Sequence, residues 1–196
     1  MCIRDSNYQL NKKEIRKHHL QIRQEMSSTN VRNNSIMVNK SILKIVGTLN
    51  STKTIGLFYP YKNEVDVILM ASELENRGLT CLLPRVINEH SPLKYFFYSP
   101  NNSNLQKGYG GIMEPTGNDA IDPDIIIASC SAFNEKGYRV GYGGGFFDRT
   151  LSQLKQKKKI ISILSAFENQ KTEYQFQDSF DEKVDYICTE NTTYQI

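Results

Sequence analysis

A three-layer α/β fold, with a mainly parallel sheet flanked by helices, is predicted by three observations on this sequence. Short apolar runs closed by proline or polar turns recur at 54–59, 79–83, 125–128, 160–164 and 184–188. Segments with helically spaced apolar residues lie between several of them, and a glycine-rich turn leads from a buried run into a helix at 137–149. Strands that alternate with helices pair in parallel through crossover connections, and open sheets of that kind bind ligands at the carboxyl ends of their strands.

In chain order, Leu10 to Met26 is rich in Lys, Glu, Gln and Arg, with Ile15 and Ile22 as a narrow apolar stripe, so an exposed helix with one buried edge is expected. A second helix runs from about Val31 to Val46, on the spacing of Ile36, Ile42, Leu43 and Val46, and stops at Gly47. Thr54 to Tyr59, ended by Pro60, reads as a buried strand. Asp66 to Arg77, with Val67, Ile68, Leu69 and Leu74, is a helix ending at Gly78. Leu79 to Leu83 then completes a βαβ unit, and Leu93 to Tyr98 is a further strand. Residues 99–123 are rich in Asn, Gly and Pro and form an irregular connection too long to be idle. Ile125 to Ala128 is a central strand, Gly145 to Lys157 a helix, and Ile160 to Leu164 and Val184 to Cys188 two more strands. No repeat and no linker interrupts the pattern, so residues 7–196 are expected to form one domain. The first six residues match no element and are set aside as a remnant.

Composition narrows the function classes. A chain of 196 residues, 39% hydrophobic and 23% charged, suffices for one core. The net charge of +3 is not gathered into the basic face that nucleic-acid binding requires; the lysines at 155 and 157–159 close a helix, where cations suit its dipole. No run approaches the roughly 18 apolar residues of a membrane helix, and the N-terminus has no secretion signal, so a cytoplasmic protein is expected. Cys2, Cys81, Cys130 and Cys188 are too scattered for a zinc or disulfide framework and read as reduced thiols. His18, His19 and His90 have no ligand arrangement around them.

The chemistry concentrates at Gly137-Tyr138-Arg139-Val140-Gly141-Tyr142-Gly143-Gly144-Gly145-Phe146-Phe147-Asp148-Arg149. Glycines let backbone amides approach an anion, and the helix they open adds partial positive charge. An arginine can grip phosphate and an aspartate can hold a hard cation. Glycines alone would fit a turn-rich helix cap equally well. The full stretch, however, resembles the signature R-L-G-x-G-x-G-[FY]-[FY]-D of 5-formyltetrahydrofolate cyclo-ligases, with Val140 in place of Leu. Lys12 to Arg16 is similar to that family's K-x-x-[LI]-R helix, Tyr59 to Glu64 to its Y-x-x-x-x-E segment, and Leu83-Pro84-Arg85 to its L-P-R. Glu114-Pro115 resembles its E-P element, and Val184-Asp185 with Thr189-Glu190 its V-D-x-[IV]-x-[TY]-E. The matches run in order along nearly the whole chain.

The resemblance implies a NagB/CoA-transferase-like α/β fold, ATP as co-substrate, Mg²⁺ as cofactor, and 5-formyltetrahydrofolate, with or without a polyglutamate tail, as substrate of a monomeric enzyme. Its chemistry is attack of the formyl oxygen on the γ-phosphate, followed by ring closure through N10 and loss of phosphate. It further implies that Lys12, Lys13, Glu14, Ile15 and Arg16 with Arg139, Val140, Gly141, Tyr142, Gly143, Gly144, Gly145, Phe146 and Phe147 bind ATP. Tyr59 and Glu64, with Tyr142 to Phe146, would bind the folate; Arg139 and Asp148 would serve catalysis; and Asp148 and Asp185 would hold Mg²⁺. On the residues alone, Lys12 and Arg16 fit a solvated helix face, Asp185 a strand-end turn, Glu64 an acid at a helix start and Tyr59 a core aromatic. Three departures stand out: Ser129 where the family has proline, Asn134 where it has aspartate, and no basic residue at Tyr142 or Gly144. The alternatives are a non-catalytic folate- or nucleotide-binding relative, and an ATP- or phosphosugar-using enzyme of another class on the same fold.

Overall fold

The computed structural model describes residues 11–101 and 104–196; the first six residues, Cys2 and the expected helix start at Leu10 lie outside them. Asn11 opens helix α1 (Lys12–Gln24) through a capping box: its side chain accepts from the amides of Lys13 and Glu14, both at 3.0 Å, while the Glu14 carboxylate accepts from the Asn11 amide. The buried edge of α1 is Ile15, His19 and Arg23, one residue per turn; Ile22, expected there, is only half-buried. Ser27 caps α2 (Ser28–Val46), which ends at Gly47 as expected. Its buried face carries Ser35, Val38, Asn39, Ile42 and Val46, whereas Ile36 is exposed. The two polar members earn their place by gripping the Asp66 backbone: Ser35 Oγ accepts from its amide at 2.9 Å and Asn39 Nδ2 donates to its carbonyl at 2.8 Å.

The main sheet has the order β11-β10-β9-β6-β1-β2-β3. Its five inner strands, β10 (Tyr186–Cys188), β9 (Ile161–Ser165), β6 (Ile125–Ala128), β1 (Thr54–Gly56) and β2 (Thr80–Arg85), are mutually parallel. The edges β3 (Lys94–Phe97) and β11 (Thr193–Gln195) run antiparallel. Alternation along the strands sorts residues into two layers of core. Ile55, Leu57, Cys81, Leu83, Ile125 and Ile127 pack with Val38 and Ile42 of α2 and with Ala71 and Leu74 of α3 (Ala71–Asn76). Leu82, Ile126 and Tyr95 face the other way onto Leu151 and Leu154 of α4 (Phe146–Lys157). The three-layer, mainly parallel α/β architecture read from the sequence is therefore the one observed. Gly56 is obligatory in it, since a Cβ there would stand 2.6 Å from the Tyr95 ring.

Other elements lie below the reach of periodicity. The expected helix at 66–77 begins as a 3₁₀ turn, Val67–Met70, before α3. The connection at 99–123 contains a small hairpin, β4 (Leu105–Lys107) with β5 (Met113–Pro115). A second hairpin, β7 (Ala132–Phe133) with β8 (Arg139–Val140), turns at Asn134, whose side chain accepts from the amides of Lys136 and Tyr138. Asn134 thus supplies the turn chemistry expected of it. Cys81, Cys130 and Cys188 are free and buried, and desolvation pushes each thiol up to about 12, as befits inert core residues.

The amino-terminal rim of the sheet is closed by the same device twice. Asp124, just before β6, accepts through Oδ2 from the Lys53 and Thr54 amides at 2.8 and 3.0 Å and from the Thr54 hydroxyl at 3.0 Å. Asp185, just before β10, accepts through Oδ2 from the Ser162 amide and hydroxyl, both at 2.7 Å. Each carboxylate fastens the start of the neighbouring parallel strand. Burial alone would raise the Asp124 pKa, but Lys158 and these donors outweigh it and hold the group at about 2. A carboxyl whose folded-state pKa is depressed contributes stability above its ordinary value near 4 and loses it as pH falls toward 2. Asp124→Asn is accordingly expected to lower the melting temperature at neutral pH and to flatten its decline between about pH 4 and 2, which thermal melts across that range will read directly.

Candidate active site

A cavity of about 330 Å³ opens at the carboxyl ends of β1, β2 and β6. After β1 the chain crosses to β2 on one side, and after β6 it crosses to β9 on the other, so the main chain parts between β1 and β6. Phe58 and Tyr59 leave the sheet here to line the cavity, which is why β1 is shorter than the apolar run that encodes it. Tyr59, read from the sequence as part of a ligand pocket, is one of its walls.

Glu64 reaches the same cavity from a tight turn. Lys62 and Asn63 both adopt left-handed backbone conformations, φ 47° and 57°, which side-chain-bearing residues adopt only when held. Asn63 Nδ2 holds the turn by donating to the carbonyls of Arg23 and Met26 at 3.2 and 3.3 Å. The Glu64 carboxyl is 5% exposed. Its Oε2 accepts from the Tyr61 amide at 2.9 Å, while Oε1 is buried with no partner of ordinary hydrogen-bond geometry. Desolvation raises its pKa, opposed by the charge of Arg23, the Tyr61 amide, and the nearby hydroxyls of Ser129 and Tyr142. A buried carboxylate that lines a cavity is placed to accept from donors of a ligand bound there.

The opposite wall is the glycine-rich loop. Gly143 and Gly145 have φ of 104° and 64°, and Gly145 is followed at once by α4, whose first turn has no side-chain cap. Gly141, Tyr142, Gly144, Gly145, Phe146 and Phe147 all line the cavity, so the loop presents backbone and an uncapped helix start to whatever binds. Arg139, 4% exposed, donates from Nη2 to Asp148 Oδ1 at 2.8 Å and from Nη1 to the Glu182 carbonyl at 2.9 Å. Asp148 Oδ1 also accepts from the Glu182 amide at 3.1 Å. Arg139 and Asp148 therefore form a neutral pair in the wall, with the Asp148 side chain a quarter exposed.

Helix α1 lies over this loop. Arg16 Nε donates to the Gly141 carbonyl at 2.6 Å, and its guanidinium lies against Gly143, 3.5 Å from where a Cβ would stand. Lys12 sits one turn away at a shallower cleft shared with Lys13, Arg16 and residues 175–178. Its ammonium is held by Asp178 and Asp181, at 2.7 Å from each. The solvated-face alternative for this pair does not fit Arg16, which is tied to the loop 125 residues away in sequence.

Several residues grouped with the site on resemblance lie elsewhere. The Ile15 and Val140 side chains pack together with Ala132 and Phe176 in a small core and cannot touch a ligand. The Glu14 carboxylate caps its own helix. Asp185 is not among the residues lining the cavity. Asp148 begins α4, and that helix runs away from the cavity to the rim where β9 and β10 start, with Asp185 bound to Ser162 there. Its likeness to Asp124 marks it as a strand clamp, the strand-end role its sequence position also allowed. In the other direction, sequence reasoning passed over the wall formed by Tyr109, Gly110, Ile112 and Met113 around the β4–β5 hairpin. It also left Glu114 without a role, though that buried carboxylate faces the cavity and accepts from the Val86 and Tyr109 amides. Arg23 was missed entirely. Its one signal was the Ile15-His19-Arg23 spacing, which a charged residue at the last position disguises.

Fold and site together define an α/β protein in which a glycine-rich loop borders an aromatic pocket containing a buried carboxylate. Residues 9–190 match the 5-formyltetrahydrofolate cyclo-ligase family, and the chain belongs to it. Among relatives, the 5-formyltetrahydrofolate cyclo-ligase of Mycoplasma pneumoniae is 26% identical over 182 residues, covering 92% of this chain and 99% of the relative. Among solved structures, the Aquifex aeolicus 5,10-methenyltetrahydrofolate synthetase superposes with a TM-score of 0.78 at 30% identity, covering 94% of this chain and 92% of that one. The M. pneumoniae 5,10-methenyltetrahydrofolate synthetase shares the fold with a TM-score of 0.73 at 24% identity, over 92% and 99%. No helix among the described residues is long and apolar enough to cross a membrane.

The position of Asp185 makes a definite prediction. Asp185→Ala should lower the melting temperature through loss of the Ser162 contacts; an unchanged melting temperature would remove Asp185 as a strand clamp.

Proposed function

We propose that this protein is an ATP-dependent 5-formyltetrahydrofolate cyclo-ligase, converting 5-formyltetrahydrofolate and ATP to 5,10-methenyltetrahydrofolate, ADP and phosphate in the cytoplasm. The observation that carries the reading is the buried carboxylate of Glu64 in the same cavity as the glycine-rich loop and the Arg139–Asp148 pair. A pterin ring presents a row of N–H donors at one edge, the complement of such a carboxylate. Phe58, Tyr59 and Tyr61 supply flat apolar walls for the ring. With the pterin edge at Glu64, its N5-formyl group lies toward the loop, where the formyl oxygen attacks the γ-phosphorus of ATP and ADP departs. N10 then attacks the activated formyl carbon, phosphate leaves with the former formyl oxygen, and N10 gives up its proton as the ring closes.

This chemistry asks the protein for position and charge neutralisation. The loop amides and the start of α4 face the phosphates. Arg16 stands beside Gly143 to meet the same charge, and the lack of a basic residue within the loop makes its contribution larger. The aromatic walls exclude water that would hydrolyse the activated formyl group. Asp148 fits a Mg²⁺ ligand: its described hydrogen bonds are both at Oδ1, leaving Oδ2 for a cation, and Mg²⁺ needs few carboxylates where phosphate oxygens complete its shell. A Mg²⁺ ion held there supplies charge neutralisation on the transferring phosphate.

Incubation with 5-formyltetrahydrofolate, ATP and Mg²⁺ should develop the near-ultraviolet absorbance of the methenyl product; folate binding without that absorbance would leave a binding protein only. Asp148→Asn is expected to lower turnover much more than folate affinity, because the charge it manages develops on phosphoryl transfer. Glu64→Gln should weaken folate binding and spare nucleotide binding, measured by calorimetry with each ligand alone. Arg16→Ala should cost at least about tenfold in ATP affinity, the loss of one charge-assisted hydrogen bond; an unchanged affinity would make Arg16 a strut of the loop.

A further inference from the structure

Arg23 is among the most completely buried of the described side chains, at 1% exposure. Among the described residues no carboxylate lies within ion-pair distance of it. It is instead spent on three neutral acceptors from three elements. Nε donates to the Lys62 carbonyl at 3.0 Å, Nη1 to the Cys130 carbonyl at 2.8 Å, and Nη2 to the Tyr142 hydroxyl. Lys62 belongs to the left-handed turn that presents Glu64; Cys130 follows β6 at the cavity floor beside Ser129; Tyr142 is part of the glycine-rich loop. Burying a guanidinium without an ion-pair partner is costly, and a purely packing role at this position would be filled better by an apolar residue.

We propose that Arg23 is a positioning residue that holds the turn bearing the Glu64 carboxylate and the loop residue Tyr142 in one frame, so that the folate side and the nucleotide side of the cavity are set by a single buried cation. The inference rests on the reading of Glu64 as the folate acceptor. Its fork geometry holds the Lys62 turn on one side and Tyr142 on the other, distances a point charge on a flexible stem cannot span together. Its charge is also the chief influence opposing the desolvation of Glu64. The other groups facing that carboxylate are the Tyr61 amide, the Ser129 hydroxyl and the Tyr142 phenol, while the neighbouring Cys130 thiol is held neutral by burial. Removing Arg23 therefore leaves Glu64 harder to ionise, and folate affinity should then be lost at a higher pH than in the wild type as the solution is acidified.

The test compares Arg23→Lys and Arg23→Met, alone and combined with Glu64→Gln, by 5-formyltetrahydrofolate and ATP binding across pH, with thermal melts of each variant. Arg23→Lys keeps the charge and loses the fork, so folate affinity should fall at least about tenfold with little movement of the pH midpoint. Arg23→Met loses both, and the midpoint should move to more alkaline pH. In the Glu64→Gln background that midpoint shift should vanish, because the group that titrates is gone. A midpoint that moves equally with and without Glu64, wild-type folate binding by both variants, or collapse of the fold in both, would make Arg23 a structural strut and overturn the proposal. Failure of the wild type itself to bind 5-formyltetrahydrofolate would instead overturn the reading of the site, which separates the two.

Discussion

The divergence of the chain between β1 and β6 is the constraint on which the rest of this structure depends. Because β1 leads to β2 and β6 leads to β9, no connection covers the carboxyl ends of the two central strands. What lies there must be built from segments that each have some other reason to arrive. Phe58 and Tyr59 come directly off β1, Ser129 off β6, and the glycine-rich loop from the β7–β8 hairpin on its way to α4. None of these segments has regular hydrogen bonding to hold it, so side chains from outside do so. Arg23 and Arg16 reach in from α1, Glu114 takes the amides of Val86 and Tyr109, and Arg149 ties the Gly144 carbonyl to that of Glu89.

Helix α1 accordingly has a function its composition conceals. Only Ile15 is an apolar residue fully buried along it, and an isolated helix with so narrow a stripe would be marginal in water. Its attachment comes from Ile15 in the small core with Ala132, Val140 and Phe176, from the Lys12 ion pairs, and from two arginines bonded to loop carbonyls. The helix is held by the residues it holds. That reciprocity explains why elements so short as β7 and β8 persist as a hairpin: the hairpin is covered by α1 and packed through Val140.

What could be read in advance follows from this division. The five parallel strands and four helices were legible because each buries a face, and burial leaves a period in the sequence. Ile125 to Ala128 is continuous because both of its faces are covered, and Ile55 with Leu57 marks one face of β1. The antiparallel edge β11 and the hairpins β4–β5 and β7–β8 are two or three residues long, too short for any period to register. Within the site, the glycine-rich loop and Glu64 were legible through resemblance, whereas Asp185 was assigned by that route to a cavity it does not enter. The V-D pattern also satisfies a strand-start clamp, and Asp124 makes the same contacts beside β1. Arg23 was illegible because a charge at the end of a polar helix predicts solvent, and only the three acceptors brought to it by distant segments make burial tolerable.

The charges around the cavity are arranged so that little of the protein must change when ligands enter. Arg139 is already paired with Asp148 in the wall, and Lys12 with Asp178 and Asp181 at the neighbouring cleft, so neither cation stands free. Arg23 lies beneath Glu64 and favours its ionised form against burial. The lining side chains still carry an acidic excess, Glu64, Glu114 and Asp148 against Arg139, and on the proposed reading the incoming phosphates add to it. The groups left to meet it are the backbone amides of the loop, the uncapped first turn of α4 and the guanidinium of Arg16 against Gly143. Backbone dipoles fixed by glycine need no reorganisation when charge develops on a transferring phosphoryl group, which is where fixed dipoles outperform mobile side chains. On the proposed reading a loop without its own basic residue is no deficiency, because the cation that complements it, Arg16, is carried on α1, an element bonded to both the loop and the Lys62 turn.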